Sequence, residues 1–188
     1  MTTPWRCFVS VPIDDDLRAA LADALEGWKA RSDLSKLRWS DPAAWHLTLA
    51  FIGDTAPGSV ERLTERLTAA ASGHRRFELP TGGLGGFPSD ARARVAWYGV
   101  ADPDGRLERL AADVGRAVDL EPDRPFTAHL TVARATPDRT DLRAWVTEAD
   151  VPAGVLPVNR VDLMRSHPRN GPARYELLAS APLDGAAR

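Results

Sequence analysis

The sequence predicts a mixed helix-and-strand fold built as two facing lobes, and three observations carry this expectation. The chain has 188 residues, 44% of them apolar and 27% charged, which suits one globular domain with a real core. Strand-type and helix-type periodicities alternate along it. A strand, acidic turn, amphipathic helix, strand unit occurs twice, and each copy ends in the same tripeptide, His46-Leu47-Thr48 and His129-Leu130-Thr131. One such unit cannot cover its own sheet, so two lobes facing each other is the natural assembly. A single bilobal domain over residues 1–188 is therefore expected.

The elements follow in order. Trp5-Arg6-Cys7-Phe8-Val9-Ser10-Val11 is rich in strand formers and reads as a mostly buried strand. Asp14-Asp15-Asp16 supplies an acidic helix start, followed at helical spacing by Leu17, Leu21, Leu25 and Trp28. Residues 38–40 and 45–51 form two strands broken by Asp41-Pro42. A second helix spans 59–72, with Val60, Leu63 and Leu67 on its inner face. Thr81-Gly82-Gly83-Leu84-Gly85-Gly86 lacks the G-K-[ST] of a phosphate loop and opens no helix, so it reads as a bend between strands. The second unit runs from a strand over 95–100 through a helix over 104–119 with Leu107, Leu110, Ala111 and Val114. A loop with Pro122 and Pro125 leads to a strand over 129–134. A short helix near 142–146 precedes two closing strands, near 155–166 and 174–181, and a loose tail.

Composition excludes several functions. The net charge is -2, which does not fit a protein that coats long nucleic acid. Lys29 and Lys36 are the only lysines, so arginine supplies nearly all the positive charge. The single cysteine, Cys7, cannot form an internal disulfide, and its apolar setting predicts a buried thiol. The start of the chain has no secretory pattern, and no stretch approaches the roughly 18 continuous apolar residues of a membrane span. A cytoplasmic protein that does not engage membranes is expected.

The two tripeptides carry the chemistry. Side chains alternate faces along a strand, so His46 and Thr48 share one face while Leu47 and Leu49 share the other. The same holds for His129 and Thr131 against Leu130 and Val132. Two such strands brought together surround one small volume with two imidazoles and two hydroxyls. Imidazole can act as acid or base near neutrality. Threonine hydroxyls can donate to non-bridging phosphate oxygens, where charge builds in the transition state. This set fits the opening of a cyclic phosphodiester and requires no metal. The remaining histidines, His74 in a polar turn and His167 before Pro168, read as solvated surface residues.

These residues bring a family into view. The chain resembles the 2H phosphoesterases, in their RNA 2',3'-cyclic phosphodiesterase (2'-5' RNA ligase-like) branch, over nearly its whole length. Arg6-Cys7-Phe8-Val9-Ser10-Val11-Pro12 is similar to the first strand of that family, and His46-Leu47-Thr48-Leu49-Ala50-Phe51-Ile52-Gly53 to its first signature. Gly86-Phe87-Pro88 and Val95-Ala96-Trp97-Tyr98-Gly99-Val100 resemble the stretch before its central helix. Pro125-Phe126-Thr127-Ala128-His129-Leu130-Thr131-Val132-Ala133-Arg134 is similar to its second signature. Val161-Asp162-Leu163-Met164-Arg165-Ser166 and Tyr175 resemble its closing strands.

The resemblance implies a bilobal α+β fold of two pseudo-symmetric antiparallel-sheet lobes, with flanking helices around a central groove. It implies hydrolysis of a 2',3'-cyclic phosphate RNA end, or of a small cyclic nucleotide, to a 2'-phosphate, with no cofactor and no metal. In that scheme His46 and His129 are the acid–base pair, and Thr48 and Thr131 bind the phosphate. His46 protonates the departing O3' and His129 activates water. Arg134 is a further candidate for the substrate phosphate, although a strict strand phase would turn it away from the groove. Phe51, Phe126, Ser166 and Tyr175 are candidate groove residues. A monomer is expected.

Three rival readings stand against this one. A non-catalytic RNA-end binding module on the same scaffold would need neither histidine. A zinc hydrolase would need a third ligand, and no H-E-x-x-H motif occurs. A serine hydrolase lacks G-x-S-x-G. Reverse 2'-5' ligation would use the same site, so the sequence leaves it open.

Overall fold

The alternating periodicities fold into nine strands and four α-helices, here in a computed structural model that describes residues 3–121, 125–167 and 173–184. In chain order the elements are β1 (Trp5–Pro12), α1 (Asp15–Lys29), β2 (Leu37–Trp39), β3 (His46–Thr55) and α2 (Val60–Ser72). Then follow β4 (Phe77–Phe87), β5 (Val95–Val100), α3 (Arg106–Ala117), β6 (His129–Ala135) and α4 (Arg143–Glu148). The chain closes with β7 (Gly154–Val158), β8 (Arg160–His167) and β9 (Arg174–Pro182).

The helix starts have identifiable causes. Asp14 caps α1, its carboxylate accepting from the Leu17 N–H at 2.8 Å, and Asp15 and Asp16 sit in the first turn, where the helix dipole favours negative charge. Leu17, Leu21 and Leu25 form its buried stripe. Ahead of α3, Gly105 adopts a left-handed φ of 63°, and Asp102 accepts from the Glu108 N–H at 2.9 Å.

The sheet order, β7-β4-β5-β6-β3-β1-β8-β9, places two four-stranded lobes side by side about its middle. One lobe is β3-β1-β8-β9 and the other β6-β5-β4-β7, each antiparallel and each with its His-Leu-Thr strand at the seam. β2 pairs with the far end of β6. The lobes meet where Leu47 of β3 opposes Leu130 of β6. The duplication is thus real in space. It does not divide the chain in two, because β8 and β9 return to the first lobe after the second is complete.

Two of the helices strap the lobes to each other. α1, which follows a first-lobe strand, packs on β7 of the second, and α3, which follows a second-lobe strand, packs on β3 of the first. One buried apolar cluster runs beneath both lobes, from Val9, Val11 and Leu47 to Leu130, Val132 and Tyr98. Cys7 is buried in it, and that burial pushes its thiol pKa up. Among the described residues no helix is long and apolar enough to cross a membrane.

Two expectations need correction. The glycine-rich segment is part of strand β4, with a register break between Thr81 and Leu84, and not a bend between strands. Close approach explains Gly85: a Cβ there would stand 2.2 Å from the Trp97 ring of the neighbouring strand. Residues 155–166 are two strands, β7 and β8, because the chain leaves one edge of the sheet near Asn159 and crosses to the other lobe. Pro122 and the tail after residue 184 lie outside the described residues.

Candidate active site

Strand phase and the seam together build the site. Leu47 and Leu130 are fully buried, whereas His46, Thr48, His129 and Thr131 are all half-buried. Because β3 and β6 run antiparallel about the Leu47–Leu130 pair, His46 faces the Thr131 side and Thr48 the His129 side, all on the face opposite the leucines. The structure brings the four residues together around a local pseudo-twofold axis.

Each imidazole is held in one tautomer. His46 Nδ1 lies 2.8 Å from the Ala44 carbonyl oxygen and His129 Nδ1 lies 2.8 Å from that of Thr127. A carbonyl can only accept, so both Nδ1 atoms carry a proton in these bonds, leaving each Nε2 for chemistry. The equivalence of the two contacts, each to the residue two positions back, is a second mark of the duplication.

The surroundings differ. The His46 ring stacks on Phe8 at 4.8 Å between centroids and meets the edge of Tyr175 at 5.1 Å. His129 has Phe87 edge-on at 5.0 Å and is the more open of the pair. Burial lowers the pKa of both histidines, and the positive charge of Arg134 lowers each further. A charge on His129 also disfavours one on His46.

Arg134 owes its position to a β-bulge. On β6, Ala133 pairs with Ala96 and Thr131 with Trp97, so Val132 is an extra residue and the alternation slips by one. Val132 and Ala133 are both buried, and exposed Arg134 returns to the face of His129 and Thr131. A strict strand phase would have turned it away. The same slip occurs at Leu49 and Ala50 of β3, where Val9 pairs with Ala50 and Ser10 with Thr48. It brings Phe51, 69% exposed, to the position in the first lobe that Arg134 holds in the second.

The other candidates divide. Tyr175 joins the site, and Ser166 pairs with it at the lobe's outer strands. Phe126 packs against the apolar core. His74 and His167 are not simply solvated: His74 Nε2 lies 2.7 Å from an Asp113 carboxylate oxygen, and His167 Nε2 lies 2.8 Å from one of Glu176. Phe8, which the sequence marks only as a strand residue, forms the floor under His46; its i+2 relation to Ser10 is the one local signal for that place. Among the described residues no group of three or more His, Cys, Asp or Glu side chains is placed to hold a metal ion.

Comparison with known proteins gives a consistent result. The family model described as the 2'-5' RNA ligase superfamily matches residues 14–170. A Geobacillus stearothermophilus protein named RNA 2',3'-cyclic phosphodiesterase is 32% identical over 185 residues, or 95% of this chain; the match spans 57% of that relative's length, a little over half. An Archaeoglobus fulgidus protein of the same name is 34% identical over 132 residues, 69% of this chain and 72% of its own. Among solved structures, a Thermus thermophilus protein superposes with a TM-score of 0.73 at 26% identity, covering 97% of this chain and all of its own. E. coli LigT in its apo form gives 0.72 at 23% identity over 98% of this chain, a likeness of fold. The expected α+β arrangement of two pseudo-symmetric lobes is the one these structures share.

Proposed function

The chain belongs to the 2'-5' RNA ligase superfamily, and from that premise we propose that it is an RNA 2',3'-cyclic phosphodiesterase acting through His46 and His129. The observation that carries this reading is the Leu47–Leu130 seam, which sets two His-x-Thr pairs on one face with both Nδ1 atoms tied to backbone carbonyls. A binding module would need the hydroxyls and the arginine. It would have no use for two imidazoles each presenting Nε2.

In the proposed step, His129 Nε2 takes a proton from water as the water oxygen bonds to phosphorus. The P–O3' bond breaks in line, and protonated His46 Nε2 delivers its proton to O3'. The product carries a 2'-phosphate. Thr48 and Thr131 hydroxyls, with the Arg134 guanidinium, donate to the non-bridging oxygens. The more open setting of His129 suits the residue that must admit water, and the enclosed setting of His46 suits the acid. A 5'-hydroxyl in place of water would give 2'-5' ligation at the same groups. The substrate is an RNA end or a small cyclic nucleotide, taken by a monomeric, single-domain protein in the cytoplasm.

All of the groups in this step come from the chain, so hydrolysis of a cyclic-phosphate dinucleotide is expected to persist after excess EDTA and dialysis. Activity lost to EDTA and restored by zinc or magnesium would contradict the scheme.

The pH dependence follows from the two lowered pKa values. With one imidazole neutral and the other protonated, kcat/KM should be bell-shaped. Burial and Arg134 favour the neutral forms, so protons are retained only at lower pH and the maximum should fall on the acid side of an ordinary imidazole, about 6.5. The bound phosphodiester anion favours the protonated acid, so the alkaline limb of kcat should lie at higher pH than that of kcat/KM. A rate that climbs steadily through pH 9 would contradict a histidine pair.

A further inference from the structure

The internal duplication allows the two arms of the groove to be compared position by position, and they differ chemically. Residues paired directly across strands share a face. From Thr131 outward, the second-lobe row is Trp97 and then Gly85, an aromatic ring lying over a glycine. From Thr48 outward, the first-lobe row is Ser10, Asp162 and Ser180, polar throughout. Ser10 is 2% exposed and Asp162 is 5% exposed. Both line a cavity of about 300 Å³ whose wall includes His46 itself, Tyr175, Arg18 and Asp41. That volume lies at the small end of small-molecule sites.

A carboxylate this deep needs its acceptor capacity used, because burial of charge is costly unless hydrogen bonds compensate. Arg160 Nε donates to Asp162 Oδ1 at 2.9 Å and Ser180 Oγ donates to the same oxygen at 2.7 Å. Among the described residues both bonds fall on Oδ1. The second oxygen keeps its acceptor capacity, and Ser10, the cross-strand partner of Asp162, lines the same cavity.

We propose that this cavity is a nucleobase pocket selective for guanine, read by Asp162 and Ser10. The proposal rests on the phosphodiesterase reading, and in-line geometry supplies the placement. Water attacks opposite O3', so the ribose lies on the His46 side of the phosphate, and the cavity opens beside His46. Guanine alone presents two adjacent N–H donors, from N1 and the 2-amino group, with no acceptor between them. Adenine and cytosine set a ring-nitrogen acceptor beside their amino group, which repels a carboxylate. Uracil flanks its single N–H with carbonyls.

The test compares 2',3'-cyclic GMP, IMP, AMP, CMP and UMP as substrates, and guanosine, inosine and uridine 2'-monophosphates as ligands followed by thermal shift. Two-point base recognition is worth about 10- to 100-fold, so kcat/KM for guanosine should exceed that for uridine by this factor. Inosine, which lacks only the 2-amino group, should fall roughly tenfold below guanosine. Asp162→Asn should collapse the guanosine-to-uridine ratio, whereas a merely structural role would lower all bases equally. Equal kcat/KM across the bases, or inosine equal to guanosine, overturns the pocket while leaving the phosphodiesterase reading intact. No turnover of any substrate, with guanosine 2'-monophosphate still preferred over inosine and uridine in binding, supports the pocket and overturns the catalytic reading instead. The inosine comparison uses the unaltered protein, so the proposal stays testable if Asp162→Asn fails to fold.

Discussion

His46→Ala should lose on the order of 10²- to 10⁴-fold in turnover and recover most of it on a substrate with sulfur at the bridging 3' position. His129→Ala should lose as much and recover nothing. The reason is chemical: a general acid matters in proportion to how badly the leaving group needs a proton, and a thiolate departs without one. Water still needs a base whichever atom leaves. The environments agree with this division, because His46 is enclosed by Phe8 and Tyr175 while His129 is the more open ring. Single-turnover rates of both variants on oxygen and sulfur substrates decide it. Rescue of His129→Ala alone reverses the roles, and rescue of neither rejects a simple acid–base pair.

Thr48→Val and Thr131→Val should each cost about 10²- to 10³-fold in kcat with little change in thermal stability. Valine is nearly isosteric and favours strands, and both threonines are half-buried on the groove face rather than in the core. The contrast is with the next residue inward. Leu47→Ala and Leu130→Ala, at the fully buried seam, should destabilise the fold by about 2–5 kcal/mol. Full activity in both valine variants, with unchanged melting temperature, would reduce the hydroxyls to packing.

What the sequence revealed of this site, and what it hid, follows from local against non-local structure. The i, i+2 phase of a strand is local, so His46 with Thr48 and His129 with Thr131 could be assigned to one face from the residues alone. Their convergence rested on the repeat, and the Leu47–Leu130 seam realises it. The bulges at Leu49–Ala50 and Val132–Ala133 are set by pairing with β1 and β5, which sequence does not display. Arg134 therefore reaches the groove through a break in phase that the residues alone do not display. The row from Ser10 to Asp162 is hidden for the same reason, since it exists only across strands far apart in the chain. The glycines of β4 mislead because turn chemistry and close packing against Trp97 call for the same residue.

In the proposed reaction this seam opens a 2',3'-cyclic phosphodiester by in-line loss of O3'. The phosphorus NMR spectrum of a short RNA ending in a 2',3'-cyclic phosphate, recorded during incubation with the protein, tests it most directly. The expected result is conversion of the cyclic resonance to a single 2'-phosphomonoester, abolished in His46→Ala and His129→Ala. A 3'-phosphomonoester, or turnover undiminished in both variants, would contradict it.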